Sequence, residues 1–528
     1  MAAPESNAAP QLTTNPYIGI AGVFLGAGIA TLNARLVSVG LADLRGALGL
    51  GFDEASWIPT SLNMATMFSG VFVVFLNALY GPRRILLPAA AIFALTSALL
   101  PFAPNFWLLL AMMVVAGLTS GTFYSLTLTF VLTALPKRLI IFGIAAYAAD
   151  IVFVSNFASA IEGWYTENLS WHWIFWNAAL FVPLMIVCVY FGIPRRPPPV
   201  GARPNWRGFA YFSLGLSLLY GALDQGERLD WLNSGVIVAM FTAGVFLVAA
   251  ALVRRLVNPN PTVSLSFLNS RNIIVLGLSI FVFKFVHLAT IVLVPGFLGN
   301  IQHYRALQTG RALAWVAVPM FAVVWLIAWM VIHTNSRLIL ALGLTMAAVG
   351  SWMCAHLDSS WAGSSFAAAE LLLAVGFACA YIGLVSSIVL EALEAGALFS
   401  AAKAATFSGF MHLVRLFGGQ AGVAGLTRFL SVREKFHSNT LGLHLEAGNW
   451  LTTERIRILS GGVVPAAGAE EAQSRAVGIL AGQVRAQAYT MAVADGFVLI
   501  GWMVVVYLVL MLLLRPARIS FKDLRSMQ

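Results

Sequence analysis

The residues of this sequence able to do chemistry are few, and they are ionisable side chains set inside long apolar runs. Asp150 stands in IIFGIAAYAADIVFVSNFASA, Lys284 and His287 in IVLGLSIFVFKFVHLATIVLV, His412 and Arg415 in FSGFMHLVRLFGGQAGVAG, Arg35 in GIATLNARLVSVG, and Glu370 in SSFAAAELLLAVGFACA. A charge at the centre of a membrane-spanning helix costs at least ~2.5 kcal/mol on insertion scales, so each is a candidate site. A carboxyl in such surroundings is suited to taking up and releasing a proton, which makes Asp150 the first candidate and Glu370 a second. His287 lies one turn from Lys284 on the same helix face and belongs to the residue type that titrates near neutrality. The three cations Arg35, Lys284 and Arg415 can instead receive an acidic ligand. Covalent catalysis finds no machinery, since the sequence lacks a phosphate-binding glycine loop, a G-x-S-x-G elbow and an H-E-x-x-H helix. Cys188, Cys354 and Cys379 lie in apolar runs without metal-ligand spacing and read as core residues, so no enzyme activity, metal or cofactor is expected.

The elements that hold these residues follow from composition. Of 528 residues 60% are hydrophobic and only 10% charged, a balance that soluble domains do not show. Apolar windows occur near 17–41, 55–80, 85–103, 106–135, 139–163, 172–193, 207–223, 233–253, 272–298, 311–333, 337–356, 363–390, 404–430 and 490–514. Each is long enough to cross a ~30 Å hydrocarbon layer as a helix with its backbone bonds satisfied internally. These fourteen windows make an all-α membrane protein. Asp150 then lies ~16 Å into the fifth span and Lys284 ~18 Å into the ninth, both near mid-depth. Glu162 and Asp224 fall at span ends, where solvation would satisfy them.

Basic residues set the orientation. With the N-terminus inside, the inner loops and C-terminal tail carry Arg83, Arg84, Lys137, Arg138, Arg195, Arg196, Arg203, Arg207, Arg254, Arg255, Arg271, Arg337, Lys403, Arg515, Arg518, Lys522 and Arg525, against Arg45, Arg228, Arg305 and Arg311 in the short outer loops. The positive-inside rule places both termini in the cytoplasm. The net charge of +10 is therefore scattered in orientation signals, with no single basic face for nucleic acid. Residues 1–16 read as a disordered cytoplasmic tail without the basic start of a signal peptide. The domain reading continues with a six-span bundle over 17–193 and a basic, Pro-rich connector over 194–206. Two inserted spans follow over 207–253, a second connector over 254–271, a six-span bundle over 272–514 containing an outer loop at 431–489, and a tail over 515–528. Glu454–Ile458 and Ala469–Gln487 in that loop have helical composition, suited to extending a span outward or docking a partner.

Several phrases resemble one family. Trp57-Ile-Pro-Thr-Ser61 is similar to the W-x-x-T-S opening of helix 2 in the EmrB/QacA-type fourteen-helix drug exporters of the major facilitator superfamily. Gly163-Trp-Tyr-Thr-Glu-Asn-Leu-Ser-Trp-His-Trp-Ile-Phe-Trp-Asn177, Leu223-Asp-Gln-Gly-Glu-Arg-Leu-Asp-Trp-Leu-Asn-Ser234, Tyr304-Arg-Ala-Leu-Gln-Thr-Gly310, Arg415-Leu-Phe-Gly-Gly419 and Arg433-Glu-Lys-Phe-His437 resemble it in the same order. The resemblance implies the superfamily fold, two six-helix bundles plus an inserted two-helix hairpin. It also implies secondary active export of small amphipathic compounds by alternating access, with substrate bound between the bundles. The cavity would draw on Asn33, Arg35, Tyr124, Tyr147, Asp150, Lys284, His412 and Arg415, and a gating loop on Gly81, Arg83 and Arg84. The implied partners are a small-molecule substrate, protons, the lipid of a bacterial inner membrane, and a periplasmic adaptor with an outer-membrane channel.

The sequence departs from the family pattern at the coupling residues. Gly28 stands where helix 1 usually carries an aspartate, Met113 where helix 4 carries an arginine, and Ala158-Ser159 where helix 5 carries a Gly-Pro kink. The loop Asn77-Ala-Leu-Tyr-Gly-Pro-Arg-Arg84 keeps the glycine and arginines of its motif without an acidic residue. Asp150 is then the deepest remaining acid, either a proton site or the counter-charge of Lys284 or another cation. An organic-anion exporter with a basic cavity and a non-transporting membrane sensor or assembly partner stay open beside the drug-exporter reading. The topology is directly checkable: single cysteines introduced in 194–205 are expected to resist an impermeant thiol reagent in intact cells, while those in 440–480 react. Labelling of 194–205 from outside would sink the fourteen-span arrangement.

Overall fold

The computed structural model describes residues 15–136, 139–194, 206–257, 270–394, 401–446, 448–467, 469–515 and 521–522. Residues 1–14 of the expected tail, nearly all of the 194–206 connector, 258–269 of the second connector and most of the 515–528 tail lie outside the described residues. The chain begins with α1 (Pro16–Val39), a short α2 (Leu41–Leu48), α3 (Phe52–Tyr80), α4 (Pro82–Leu99), α5 (Phe106–Ala134), α6 (Ile140–Asn168) and α7 (Trp173–Gly192). A hairpin of α8 (Trp206–Gln225) and α9 (Gly235–Val257) comes next. The second half contains α10 (Arg271–Leu288), α11 (Val294–Asn300), α12 (Ala306–His333), α13 (Ser336–Met353), α14 (Ala367–Glu394), α15 (Ala401–Gly442), α16 (Trp450–Ala467) and α17 (Ala469–Met511). Each of the fourteen expected windows coincides with a helical stretch, and no strand occurs among the described residues.

Local chemistry sets several boundaries. Asn15 accepts a hydrogen bond from the Tyr17 amide (3.0 Å) ahead of Pro16, Asn105 accepts one from Leu108 (2.8 Å), and Ser270 accepts one from Ile273 (3.2 Å). These side chains satisfy first-turn amides that have no partner within the helix, and proline at the first position loses nothing because its missing N–H would be unpaired there. Between α10 and α11 the helix widens into a π turn at Ala289–Leu293 immediately before Pro295. Pro295 offers no amide to the preceding turn, so the extra residue absorbs the break without ending the span.

α1 and α3–α7 pack as one group, and α10, α12–α15 and α17 as another. The groups meet where α6 packs against α12 and α14, and where α15 packs against α3 and α5. At α6–α12 the backbones approach closely, because a Cβ on Gly163 would strike the Leu307 amide and one on Gly310 would strike Ala160. Small residues permit this approach where lipid supplies no hydrophobic drive between helices. α8 fills the seam between α3 and α15: Met67, Val71, Leu216 and Tyr220 form a buried cluster with Leu413 and Leu416 packed against it.

Among the described residues, twelve helical runs are long and apolar enough to cross a membrane; α8 and α15 are not among them. Their polar content has a physical reason. α15 carries His412, Arg415 and Gln420, all buried between the two groups rather than turned to lipid. The 431–489 segment is largely helical. α15 spans 42 residues and α17 spans 43, about 63–65 Å each at 1.5 Å per residue and roughly twice the hydrocarbon thickness. α16 packs on α17, and Asp495 ties the root of the extension to Arg433 and His437, both at 2.6 Å.

Candidate functional site

The residues of α1 with accessible surface include Tyr17, Ala21, Phe24, Gly28, Leu32 and Arg35, which share one face at helical spacing. That face looks into the molecule, since a Cβ built on Gly28 would fall 2.6 Å from Asp150 Oδ1 of α6. The carboxyl of Asp150 thus occupies the space that a side chain at position 28 would need. The acid absent from α1 is replaced, from the neighbouring helix, in the same place.

Facing Asp150 is a set of polar and aromatic groups from both halves. Arg415 of α15 stacks its guanidinium 3.9 Å from the centre of the Tyr124 ring, and Tyr124 shares a hydrogen bond with Thr31 of α1. Arg415 is the cation whose charge acts on Asp150. Tyr147, one turn from Asp150, stands 6.4 Å from Tyr381 of α14, and Tyr381 stands 4.9 Å from Phe283 of α10. Lys284 lies along α15, its Cδ 3.9 Å from where a Cβ on Gly419 would be, one turn beyond Arg415. Arg415 and Arg35 are the charges that act on Lys284. His412 packs 5.9 Å from Tyr124, and His287 contacts Asn156 of α6 (3.3 Å) and Phe377 of α14 (5.3 Å) just before the π turn. Arg35, Asp150 and Lys284 are half-buried.

The structure therefore brings together Arg35, Tyr124, Tyr147, Asp150, Lys284, His287, His412 and Arg415. It does not bring in the rest of the expected set. Asn33, five residues from Gly28, is turned to another face of α1 and is buried with its side-chain oxygen unpaired among the described residues. Glu370 is fully buried at the start of α14, beside Cys354 and away from the central group. In the expected gating loop, Gly81 takes φ 76°, Arg83 donates to the Ile193 carbonyl (3.1 Å) over the Tyr190 ring, and Arg84 is exposed. Asp150 forms no ion pair with Lys284 or Arg415 among the described residues and its Oδ2 has no hydrogen-bond partner; Arg415 acts on it through its charge alone. Glu162 is no solvated span end, because α2 folds over it, brings Asp43 within reach and leaves it 0% exposed. Asp224 accepts hydrogen bonds from Thr60 of α3 and from Gln420 of α15 (2.8 Å), tying the hairpin to both halves. Sequence reasoning missed Thr31, Asn156, Phe377 and Tyr381. Thr31 has the one usable signal, since it shares the face of Gly28 and Arg35.

Two packed helical groups of membrane-spanning length with an ionisable cluster between them are the build of a membrane transporter. A family model described as Major Facilitator Superfamily matches residues 23–422, and the chain belongs to that superfamily. Among curated relatives, it is 27% identical over 282 residues to the multidrug export protein EmrB of Haemophilus influenzae, covering 53% of this chain and 55% of that protein. The match thus spans little more than half the length of that relative. It is 23% identical to the colistin resistance protein EmrB of Acinetobacter baumannii, covering 83% and 84%, and 25% identical to the fatty acid resistance protein FarB of Neisseria gonorrhoeae, covering 57% and 61%. Its fold is similar to the proton:xylose symporter XylE (TM-score 0.57, 12% identity, 97% and 98% covered) and to the human organic anion transporter TETRAN (TM-score 0.54, 14% identity, 93% and 99% covered).

The relocation of the carboxyl is testable on stability. Asp150→Ala removes the acid beside Arg415 and is expected to lower the melting temperature of the purified protein by several degrees. Adding Gly28→Asp returns an acid to the same space and is expected to recover at least half of the loss. Melting of the double variant below the single one would show that position 28 does not open onto the Asp150 site.

Proposed function

We propose that this protein is a secondary active exporter of small amphipathic compounds, working by alternating access in a bacterial inner membrane with both termini in the cytoplasm. Proton coupling passes through Asp150. The observation that carries the reading is a half-buried carboxyl at the meeting of the two helical groups, with Arg415 from the opposite group beside it. A carboxyl so placed meets water from either side as the groups rock, and its charge alters the attraction between them. The export and resistance functions named for relatives support the direction of transport. Among the candidates for proton binding, Asp150 is preferred to Glu370, which is sealed away from the centre, and to His287, whose ring is held by Asn156 and packed on Phe377.

Asp150→Asn mimics the protonated state and cannot release a proton. It is expected to bind substrate within about threefold of the parent and to retain counterflow, while pH-driven uphill transport in proteoliposomes falls at least tenfold. If Asp150 only neutralises Arg415, Asp150→Asn with Arg415→Gln instead regains folded yield and pH-driven transport together. Full pH-driven accumulation in that double variant would eliminate Asp150 as the coupling residue.

The same proposal seats a protein partner, of the adaptor kind expected from the family resemblance, on the extension formed by α15, α16 and α17. The extension presents Leu443, Trp450, Leu451 and Ile458 to solvent, more apolar surface than a solvated cap needs. Replacing 443–468 by a short polar linker is expected to abolish co-purification of an adaptor and lower export from cells, leaving the order of preferred substrates unchanged. A reordered substrate series at full flux would refute the assignment.

A further inference from the structure

Resting on the export reading above, we propose that the central site is built for organic anions: an amphipathic carboxylate whose head is held by Arg35, Lys284 and Arg415. The argument is one of uncompensated charge. Lys284 of α10 lies along α15 one turn beyond Arg415, and the charges of Arg415 and of Arg35 on α1 both act on it, so cations from three helices converge there. Asp150 supplies one negative charge, on the Arg415 side. The other buried or largely buried acids are engaged elsewhere, Glu162 with Asp43 under α2, Glu370 beside Cys354, Glu391 with Arg337, and Asp224 with Thr60 and Gln420. The remaining titratable groups facing the cluster are Tyr124, Tyr147, Tyr381, His287 and His412, none of which is anionic near neutrality.

Donors are also left over. Arg35 Nε, Arg415 Nε and Arg415 Nη2 are buried without an acceptor among the described residues, and Arg415 is only 8% exposed. A buried charge retains such unpaired donors at a cost, which a bound carboxylate removes by accepting charge-assisted hydrogen bonds. Arginine suits this role because its fixed fork matches the two carboxylate oxygens. The residues packed behind the cations are aromatic, with Phe283 meeting Tyr381 at 4.9 Å and Phe377 at 6.0 Å, and these rings are themselves buried. A lipophilic cation would face repulsion from Arg35 and Lys284.

Three probes with one carbon skeleton separate charge from shape: 6-phenylhexanoate, its primary amide, and 6-phenylhexylammonium. With the purified full chain, tryptophan fluorescence titration is expected to show the carboxylate binding at least tenfold tighter than the amide or the ammonium. Proteoliposomes are expected to transport the three in the same order. Arg35→Gln and Lys284→Gln should each reduce the preference for carboxylate over amide at least fivefold, and Lys284→Arg should keep it. Thermal melting of each variant identifies any that is merely misfolded, and the Lys284→Arg comparison then decides. Preferred binding and flux of the amide or the ammonium would overturn the anion site while leaving the exporter reading intact. Tight carboxylate binding with no flux of any probe would uphold the site and overturn the exporter reading.

Discussion

Asp150 and Arg415 share a constraint that organises the centre of the molecule, because each is a charge in a medium that penalises isolated charges by several kcal/mol. Neither belongs to the other's helical group. Asp150 comes from α6 and Arg415 from α15, so the compensation exists only when the two groups are assembled. Room for the carboxyl is provided by Gly28, whose missing side chain leaves its space to Asp150 Oδ1. Tyr124 supports the guanidinium from below at 3.9 Å and is itself fixed by its hydrogen bond to Thr31. Such stacking strengthens as water is excluded, to about 2 kcal/mol when the cation is desolvated.

The surrounding helices are arranged to let these groups face one another. Gly28, Thr31 and Arg35 on α1, Tyr147 and Asp150 on α6, and His412, Arg415 and Gly419 on α15 each follow the spacing of a single helix face. α10 keeps Lys284 and His287 on one face, and the π turn at Ala289–Leu293 begins where that face ends. Close contact of α6 with α12 through Gly163 and Gly310 draws the two groups together on one flank, while α8 fills the opposite seam through Met67, Leu216 and Tyr220.

Much of this was legible in the sequence, for reasons that differ between levels. The helical stretches were readable because spanning a bilayer requires about twenty apolar residues with internally satisfied backbones, a strong and local signal. Counting residues at 1.5 Å each gives the positions of Asp150 and Lys284 along their own helices. Their partners were not readable, because pairing depends on which faces meet. Lys284 is as deep as Asp150 but lies along α15, and Arg415 takes the place beside the carboxyl. Glu162 was misplaced for a similar reason: a span end looks solvated until a short helix such as α2 covers it. The α15–α17 extension carried helical composition at Glu454–Ile458 and Ala469–Gln487, but nothing local fixed how far α15 would continue past its apolar window.

The position of the acid bears on how a proton would be linked to motion. In the family pattern that the sequence resembles, the acid of helix 1 and the arginine of helix 4 lie in the same group, so their interaction mainly sets the internal order of one bundle. Here Gly28 and Met113 remove both, and the surviving acid and arginine stand on α6 and α15 in opposite groups. At an effective dielectric of about 20, a unit pair interacts by ~4 kcal/mol at ~4 Å and about half that at ~8 Å. Turning a two-state equilibrium from one side to the other takes about 5.5 kcal/mol. Loss of one charge across the interface therefore supplies only part of that difference, and substrate binding must supply the rest. In the proposed cycle, protonating Asp150 weakens an attraction between the moving parts themselves, and needs no relay from one bundle to the other.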